Sequence, residues 1–342
     1  MTNENSPERI LKLVNAFMES RILLSAAELN LFTLLQKEPL SAREIADRVN
    51  GEAEEAGDAR AVSALLDATA ALGFLRKQGE TYFCEPDVAR LLADDSPVTV
   101  RPMALHMAFV WHKWSQLTSI AKGAPESNQS NQQAEFLYSP KNLEAFIGAM
   151  HAVGAPLAGE VAADIDTENA ESFIDIGGGS GTYTMAFLRK APAMKATLFD
   201  LPEVVEMART RLAREGFLDR VTLVPGSFYS DELPGEHDLA LLSAIIHSNS
   251  LEENLDLYRK AFHALRPGGR LLIRDHVMEP DRTHPVAGAI FAINMLVETQ
   301  SGGCYTYAEI ETGLREAGFT GIRMLRRGER MDAVVEARRP QK

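Results

Sequence analysis

Cysteine is scarce in this chain: Cys84 and Cys304 are the only two among 342 residues, and neither lies in a C-x-x-C or a Cys/His spacing. That excludes a disulfide framework and a thiolate metal site, and it agrees with free thiols in a reducing cytoplasm. Basic charge is also short, with 35 Lys and Arg against 48 Asp and Glu, a net of −13. A nucleic-acid or anionic-membrane surface would have to work against that field, whereas a small uncharged or cationic partner is easier to accommodate. No apolar run approaches about 20 residues. The opening Met1-Thr2-Asn3-Glu4-Asn5-Ser6-Pro7-Glu8 lacks a basic segment leading into an apolar core, so neither secretion nor membrane spanning is expected. Repeats and extended low-complexity tracts are missing too, and the polar stretch Glu126–Gln133 reads as a loop. Hydrophobic residues make up 45%, enough in a chain of this length for a large core and two domains.

From Pro7 to about Leu35, apolar residues including Ile10, Leu13, Val14, Phe17 and Leu23 recur at helical spacing. The stripe is wide for one helix, so it packs either within its own domain or on a second chain. Ser41 and Glu44 then form a capping-box pattern, Ala61–Leu72 reads as a helix stopped by Gly73, and Phe74–Lys77 with Thr81–Cys84 flank a turn as a hairpin. Helix, turn, helix, hairpin is a winged-helix arrangement, which raises DNA binding as a rival reading. Charge opposes it: residues 1–100 hold 10 basic and 17 acidic side chains, and the helix that would enter a groove offers Arg60 and Asp67. Residues 98–164 form a mostly helical connector that holds both tryptophans, Trp111 and Trp114, with Met103, Met107, Phe109, Phe136, Phe146 and Met150. Such a stripe serves a core or a flat apolar ligand.

Beyond the connector, strand-like runs at Phe173–Ile176, Ala196–Phe199, Val221–Val224, Leu239–Ser243, Leu271–Arg274, Ile322–Leu325 and Ala333–Ala337 alternate with helical patterns. This predicts a doubly wound, mainly parallel α/β sheet with its ligand at the carboxyl ends of the strands. The first run ends in Asp175-Ile176-Gly177-Gly178-Gly179-Ser180-Gly181 and opens a helix. The dinucleotide pattern G-x-G-x-x-G fails, since the sixth position from Gly177 is Thr182; glycines recur instead at Gly177, Gly179 and Gly181 behind Asp175. Asp200 closes the second strand, where a nucleoside site puts an acid for the ribose hydroxyls; a turn or cap before Pro202 is its plainer role.

These residues, with Leu198-Phe199-Asp200-Leu201-Pro202, resemble the class I S-adenosylmethionine-dependent methyltransferases, specifically the caffeate and acetylserotonin O-methyltransferase type, over nearly the whole chain. The resemblance implies a Rossmann-like catalytic domain with a mainly parallel seven-stranded sheet (166–342), a helical connector contributing to the acceptor pocket (101–165), and a mostly α-helical winged-helix domain (1–100) used for homodimerisation rather than DNA. It implies S-adenosylmethionine as cofactor, held by Asp175, Gly177, Gly179, Gly181, Asp200, Leu201, Gly226, Ser227, Phe228 and Ser243, and no metal. Ser227 stands where the family has an acid for the adenine amino group, Phe228 where it has an apolar residue against the ring, and Ser243 where it has a lysine.

His247 matches the family's catalytic base. An imidazole of pKa about 6.5 beside a phenol of pKa near 10 can take the proton as the oxygen reacts; capping the next helix is the alternative role. Asp275 matches one of two flanking glutamates, and being one methylene shorter it is expected to make a longer contact or one through water. Tyr305 stands in place of the second glutamate, and Ser248 and Asn249 replace the usual Asp and Trp. Phe146, Met150, Asn294, Met295 and Glu298 match acceptor-pocket positions, with Glu298 facing a cationic or hydroxylated acceptor or simply solvent. The reading is a metal-independent, cytoplasmic O-methyltransferase acting on a small, aromatic hydroxyl compound. Two other classes stay open: a relative that keeps the cofactor without methylating, and a winged-helix regulator.

Overall fold

Ser6 accepts a hydrogen bond from the Arg9 amide, and Pro7 fills the first helical position, so the first helix runs Pro7–Glu28. The computed structural model describes residues 6–49, 58–96, 98–123 and 140–341. The predicted loop at Glu126–Gln133, and Phe136 with it, lie outside them. The chain divides into two compact units, Met1–His112 and Lys113–Lys342.

In the first unit the stripe expected to run to Leu35 is broken. Asn30 takes a left-handed φ of 56°, and a short helix, Leu31–Leu35, follows it. The break re-aims the chain so that Leu31, Phe32 and Leu35 enter a core with Ile45, Leu66 and Tyr82, whereas Ile10, Leu13 and Val14 stay exposed. The capping box is present, with the Glu44 amide donating to Ser41 Oγ and the Ser41 amide to Glu44 Oε2, ahead of helix Ala42–Val49. Helix Ala59–Ala71 and three short strands, β1 (Leu40–Ser41), β2 (Arg76–Gln78) and β3 (Thr81–Phe83), complete the winged-helix arrangement. Asp67, on the helix that would read DNA, is taken by Lys77 at 2.6 Å and the Tyr82 hydroxyl at 2.7 Å.

The second unit is built on β4 (Ser172–Ile176), β5 (Lys195–Asp200), β6 (Val221–Pro225), β7 (His237–Ser243), β8 (Leu265–Asp275), β9 (Val277–Met278), β10 (Tyr305–Thr306), β11 (Thr320–Arg326) and β12 (Ala333–Arg338). Seven of these pair in the order β11-β12-β8-β7-β4-β5-β6, with β12 antiparallel to its neighbours and the rest parallel. Alternation along β7 sends Leu239 and Leu241 to one core and Ala240 and Leu242 to the other. Each fully buried side chain of this size contributes about 1.5–3 kcal/mol, so a one-residue slip would cost both faces at once. The chain reverses direction across the sheet between β4 and β7, and parallel register puts Gly177, Asp200, Gly226, Ala244 and Asp275 along one edge.

Helix Pro140–Asp164 holds one stretch, Phe146–Asp164, long and apolar enough by length and composition to cross a membrane. It packs instead on helix Thr182–Lys190, burying Ala158, Val161, Ala162 and Ile165 against Phe173 and Phe187.

Candidate functional site

Gly177 and Gly179 carry φ of 70° and 56°, a region costly to any residue with a Cβ, which explains the alternate glycines. A Cβ on Gly177 would stand 2.5 Å from Ile245 Cδ1 and 3.5 Å from Phe228 Cε1, while one on Gly179 would meet nothing within 4 Å. Backbone therefore faces open space at Gly179, beside a wall made by Phe228 and Ile245. The Gly179 amide donates to Asp200 Oδ2 at 2.7 Å and the Leu201 amide to Oδ1 at 2.7 Å. Burial pushes the Asp200 carboxyl up, against the two amides that lower it. A carboxylate offers about four acceptor sites, so two remain for a ligand.

Asp175, expected among the cofactor contacts, lies underneath this turn. It is 1% exposed, its Oδ2 accepts from Thr184 Oγ1 at 2.6 Å, and burial pushes it up to about 6. A Cβ on Gly178 would come within 3.0 Å of its Cγ, so Asp175 supports the turn from the core. Leu201 precedes helix Pro202–Arg214 and packs against Leu143 and Ile147 beside Phe146, while Met150 is exposed. Gly226 lets Phe199 approach, with its absent Cβ 2.6 Å from Phe199 Cζ, and the Ser227 amide donates to Asp231 Oδ2 at 2.7 Å. Ser243 ends β7 opposite Arg274.

Past Ser243 the chain turns sharply. Ala244 takes a φ of 58° and its amide donates to the Arg274 carbonyl, which leads into a single 3-10 turn, Ile246–Ser248. A non-glycine residue there is strained by about 1–2 kcal/mol. That turn brings His247 to the end of β8, where Nδ1 lies 2.9 and 3.0 Å from the two oxygens of Asp275. The longer or water-bridged contact expected of an aspartate is thus corrected: the strained turn closes the gap. Asp275 is 1% exposed; burial pushes its carboxyl up, but His247, Arg274 and the His276 amide outweigh burial and hold it below the ordinary value.

Tyr305, in the second glutamate position, does not reach the imidazole. Its hydroxyl donates to the Asn249 carbonyl, the Tyr229 hydroxyl to Asn249 Oδ1 at 2.7 Å, Asn249 Nδ2 to Asn254 Oδ1 at 3.1 Å, and Asn254 Nδ2 to the Ile246 carbonyl at 2.8 Å. The Gly303 amide donates to the His247 carbonyl at 2.8 Å. Together these clamp the His247 loop by its backbone.

Helix Val286–Glu298 brings Phe291 edge-on to His247, with ring centroids 4.9 Å apart. Asn294 accepts from Trp114 Nε1 at 2.8 Å, Met295 is buried, and Glu298 pairs with Lys113 at 3.3 Å. Glu298 is therefore neither a free counter-charge for a cation nor a solvated surface acid. Its carboxyl is pushed up by burial and pulled back by Lys113. Sequence reasoning missed Ile245, Phe291, Lys113 and His151, whose Nδ1 lies 2.7 Å from Thr182 Oγ1 at the start of the helix after the glycine turn. Ile245 and Phe291 carried no signal beyond hydrophobicity, because their roles come from opposite sides of a turn and a sheet edge.

Residues 135–320 match the family model of the O-methyltransferase domain, and residues 11–95 that of the O-methyltransferase dimerisation domain. The chain is 33% identical to the tetracenomycin polyketide synthesis 8-O-methyl transferase of Streptomyces glaucescens, over 94% of each chain. It is 28% identical to the 3-hydroxy-5-methyl-1-naphthoate 3-O-methyltransferase of Streptomyces sahachiroi, over 94% of this chain and 91% of that one. Human N-acetylserotonin methyltransferase in complex with S-adenosylmethionine shares the fold with a TM-score of 0.81 at 24% identity, over 99% of each chain. On the strength of the glycine turn, the seven-stranded sheet and these matches, the chain belongs to the S-adenosylmethionine-dependent O-methyltransferases.

Proposed function

We propose that this protein methylates a hydroxyl of a small aromatic acceptor, with His247 as general base and Asp275 as the group that orients it. The observation that carries the reading is the contact of His247 Nδ1 with both Asp275 oxygens at 2.9 and 3.0 Å. That contact fixes the tautomer with the proton on Nδ1 and leaves Nε2 as the acceptor for a substrate proton. The buried carboxylate then stabilises the imidazolium that forms. The route puts no demand on a metal, because the proton goes to imidazole.

The residues at the glycine turn fit the nucleoside part of the cofactor: open backbone at Gly179, an apolar wall of Phe228 and Ile245, and unfilled acceptor sites on Asp200. S-adenosylmethionine, when bound, supplies an electrophilic methyl group on a sulfonium. The work left to the chain is alignment of the acceptor oxygen and removal of its proton, and alignment alone can be worth several kcal/mol. The acceptor class is supported by two relatives, one named for 8-O-methyl transfer in tetracenomycin polyketide synthesis and one for a hydroxynaphthoate, and by Phe291 and Met295 on the helix beside His247.

The test is a phenol panel with methyl-labelled S-adenosylmethionine. Methylated product is expected from the wild-type chain and not from His247→Ala at unchanged cofactor affinity; turnover retained by that variant would remove the base assignment. We also read the protein as a homodimer through helix Pro7–Glu28, whose Ile10 and Leu13 are 57% and 77% exposed, in the region matching the dimerisation domain. Sedimentation of Leu13→Asp as a monomer would support it, and a wild-type monomer would end it.

A further inference from the structure

The wall beside the glycine turn is made by Phe228 and Ile245, and each leads directly to the turn that carries the base. Ile245 precedes His247 by two positions. Phe228 is followed by Tyr229, whose ring centroid lies 4.6 Å from its own and whose hydroxyl meets Asn249 Oδ1 at 2.7 Å, two positions after His247. The base turn is therefore held to the donor wall at both of its ends.

The polar chain behind it can run in only one direction. The Ile246 carbonyl only accepts, so Asn254 must present Nδ2 to it, at 2.8 Å, and Oδ1 to Asn249. Asn249 must then turn Nδ2 to Asn254, at 3.1 Å, and Oδ1 to Tyr229, which makes the Tyr229 hydroxyl the donor. Asn249 and Asn254 are 1% and 2% exposed, so breaking a link strands a buried polar group. Tyr229 itself is 59% exposed, so burial does little to hold it and polar contacts hold its segment. Lys260 Nζ donates to the carbonyls of Phe228, Tyr229 and Asp231 at 2.8, 3.0 and 3.0 Å, from the same helix, Leu251–Ala264, whose start carries Asn254.

We infer that Tyr229, Asn249 and Asn254 are positioning residues that carry occupancy of the donor wall to His247, so that the base is set for the acceptor hydroxyl once S-adenosylmethionine is seated. The inference rests on the reading of His247 as the base and adds the link between the two halves of the reaction. A nucleoside lying against Phe228 and Ile245 restrains both side chains. Through Ile245 on one side and Tyr229 and Asn249 on the other, the same restraint reaches the Ile246–Ser248 turn. Ordering of that turn then precedes arrival of the acceptor, and a misplacement of about 1 Å there can cost about 10²-fold in rate. Donor and acceptor bind with positive coupling, which by linkage is the same in either order.

The experiment follows amide exchange and kinetics of the full chain. In the wild type, saturating S-adenosylhomocysteine is expected to slow exchange over residues 246–254 as well as at the glycine turn. Tyr229→Phe removes one hydroxyl from an exposed ring. It should bind S-adenosylhomocysteine within about threefold of the wild type in calorimetry and keep the slowing at the glycine turn, but lose it over 246–254. With a phenol that the wild type methylates, its kcat should fall about threefold to tenfold, as for one hydrogen bond, while KM for S-adenosylmethionine changes by less than about threefold. Asn249→Ala should lose more, and Tyr229→Phe/Asn249→Ala should be no worse than Asn249→Ala alone, because both act through one bond. If Asn249→Ala does not fold, Tyr229→Phe decides by itself. Equal slowing over 246–254 in Tyr229→Phe, an unchanged kcat, a donor affinity that falls in step with kcat, or losses that multiply in the double variant each overturn the inference. If the exchange results hold but the wild type methylates no phenol, the functional reading fails instead.

Discussion

Asp175 and Asp275 lie at the carboxyl ends of two parallel strands of one sheet, next to last in β4 and last in β8, and each is 1% exposed, yet the protein drives them in opposite directions. Asp175 is pushed up to about 6 by burial, because its nearest partner is the neutral hydroxyl of Thr184. Asp275 feels burial too, but its contact with His247 and the charge of Arg274 outweigh burial and the carboxyl is held below its ordinary value. The difference separates the two regions they serve. The glycine turn is a backbone structure supported from beneath by a reluctant anion, whereas the His247 station is built around a committed one.

The sharpest way to break this contrast is to remove the imidazole. His247→Ala should lower kcat by about 10²–10⁴, the usual worth of a general base, with S-adenosylhomocysteine affinity unchanged in calorimetry. An equal loss at both regions would mean that the stations are not separable. Next, Gly177→Ala combines left-handed strain with a Cβ 2.5 Å from Ile245, for a loss of about 2–5 kcal/mol in urea unfolding. Gly179→Ala meets only the strain, about 1–2 kcal/mol. Equal losses would refute the wall that Ile245 and Phe228 are read to form.

The two aspartates give a comparison in pH. Asp175, with its folded value near 6 against 3.8 for the ordinary group, contributes stability that is complete below 3.8 and lost as pH rises through about 6. Asp175→Asn should therefore gain on the wild type by up to about 3 kcal/mol between acid and neutral pH. Asp275 has the opposite sign: its contribution is present above 3.8 and lost as pH falls through its lowered folded value. Asp275→Asn should flatten the acid limb of the stability profile. Parallel profiles for the two variants would contradict the electrostatic account. The smallest effect is expected from Gly302→Ala, whose Cβ would fall 2.4 Å from the His247 carbonyl oxygen. Displacing that carbonyl should cost about tenfold in kcat and leave S-adenosylhomocysteine affinity intact; a loss of that affinity would show the loop to serve both regions.

Much of the donor region was legible because its causes are local. Gly177, Gly179 and Gly181 stand within five residues of one another, and the backbone demands left-handed φ at all three. The seven strand-like runs were equally readable, since a one-residue alternation decides which core a side chain enters. The His247 region was legible only in its principal residue. Nothing along the chain signals that Ala244 would accept left-handed strain, that Tyr305 would hold Asn249 rather than the imidazole, or that Lys113 would cross to Glu298. In the same way, the stripe from Pro7 to Leu35 concealed its break at Asn30, because hydrophobic spacing does not record the turn that tertiary burial of Phe32 and Leu35 imposes.

The sequence by itself determined the sheet and the glycine turn, because period-two burial and steric limits on φ act between near neighbours, while His247 was singled out by the family resemblance. Tertiary structure alone decided how His247 meets Asp275, which way each buried aspartate is pushed, and what stands opposite Glu298. His247 and Asp275 are 28 residues apart and Lys113 and Glu298 185, and even where a partner is near in the chain the burial is set by the fold rather than by the adjoining residues.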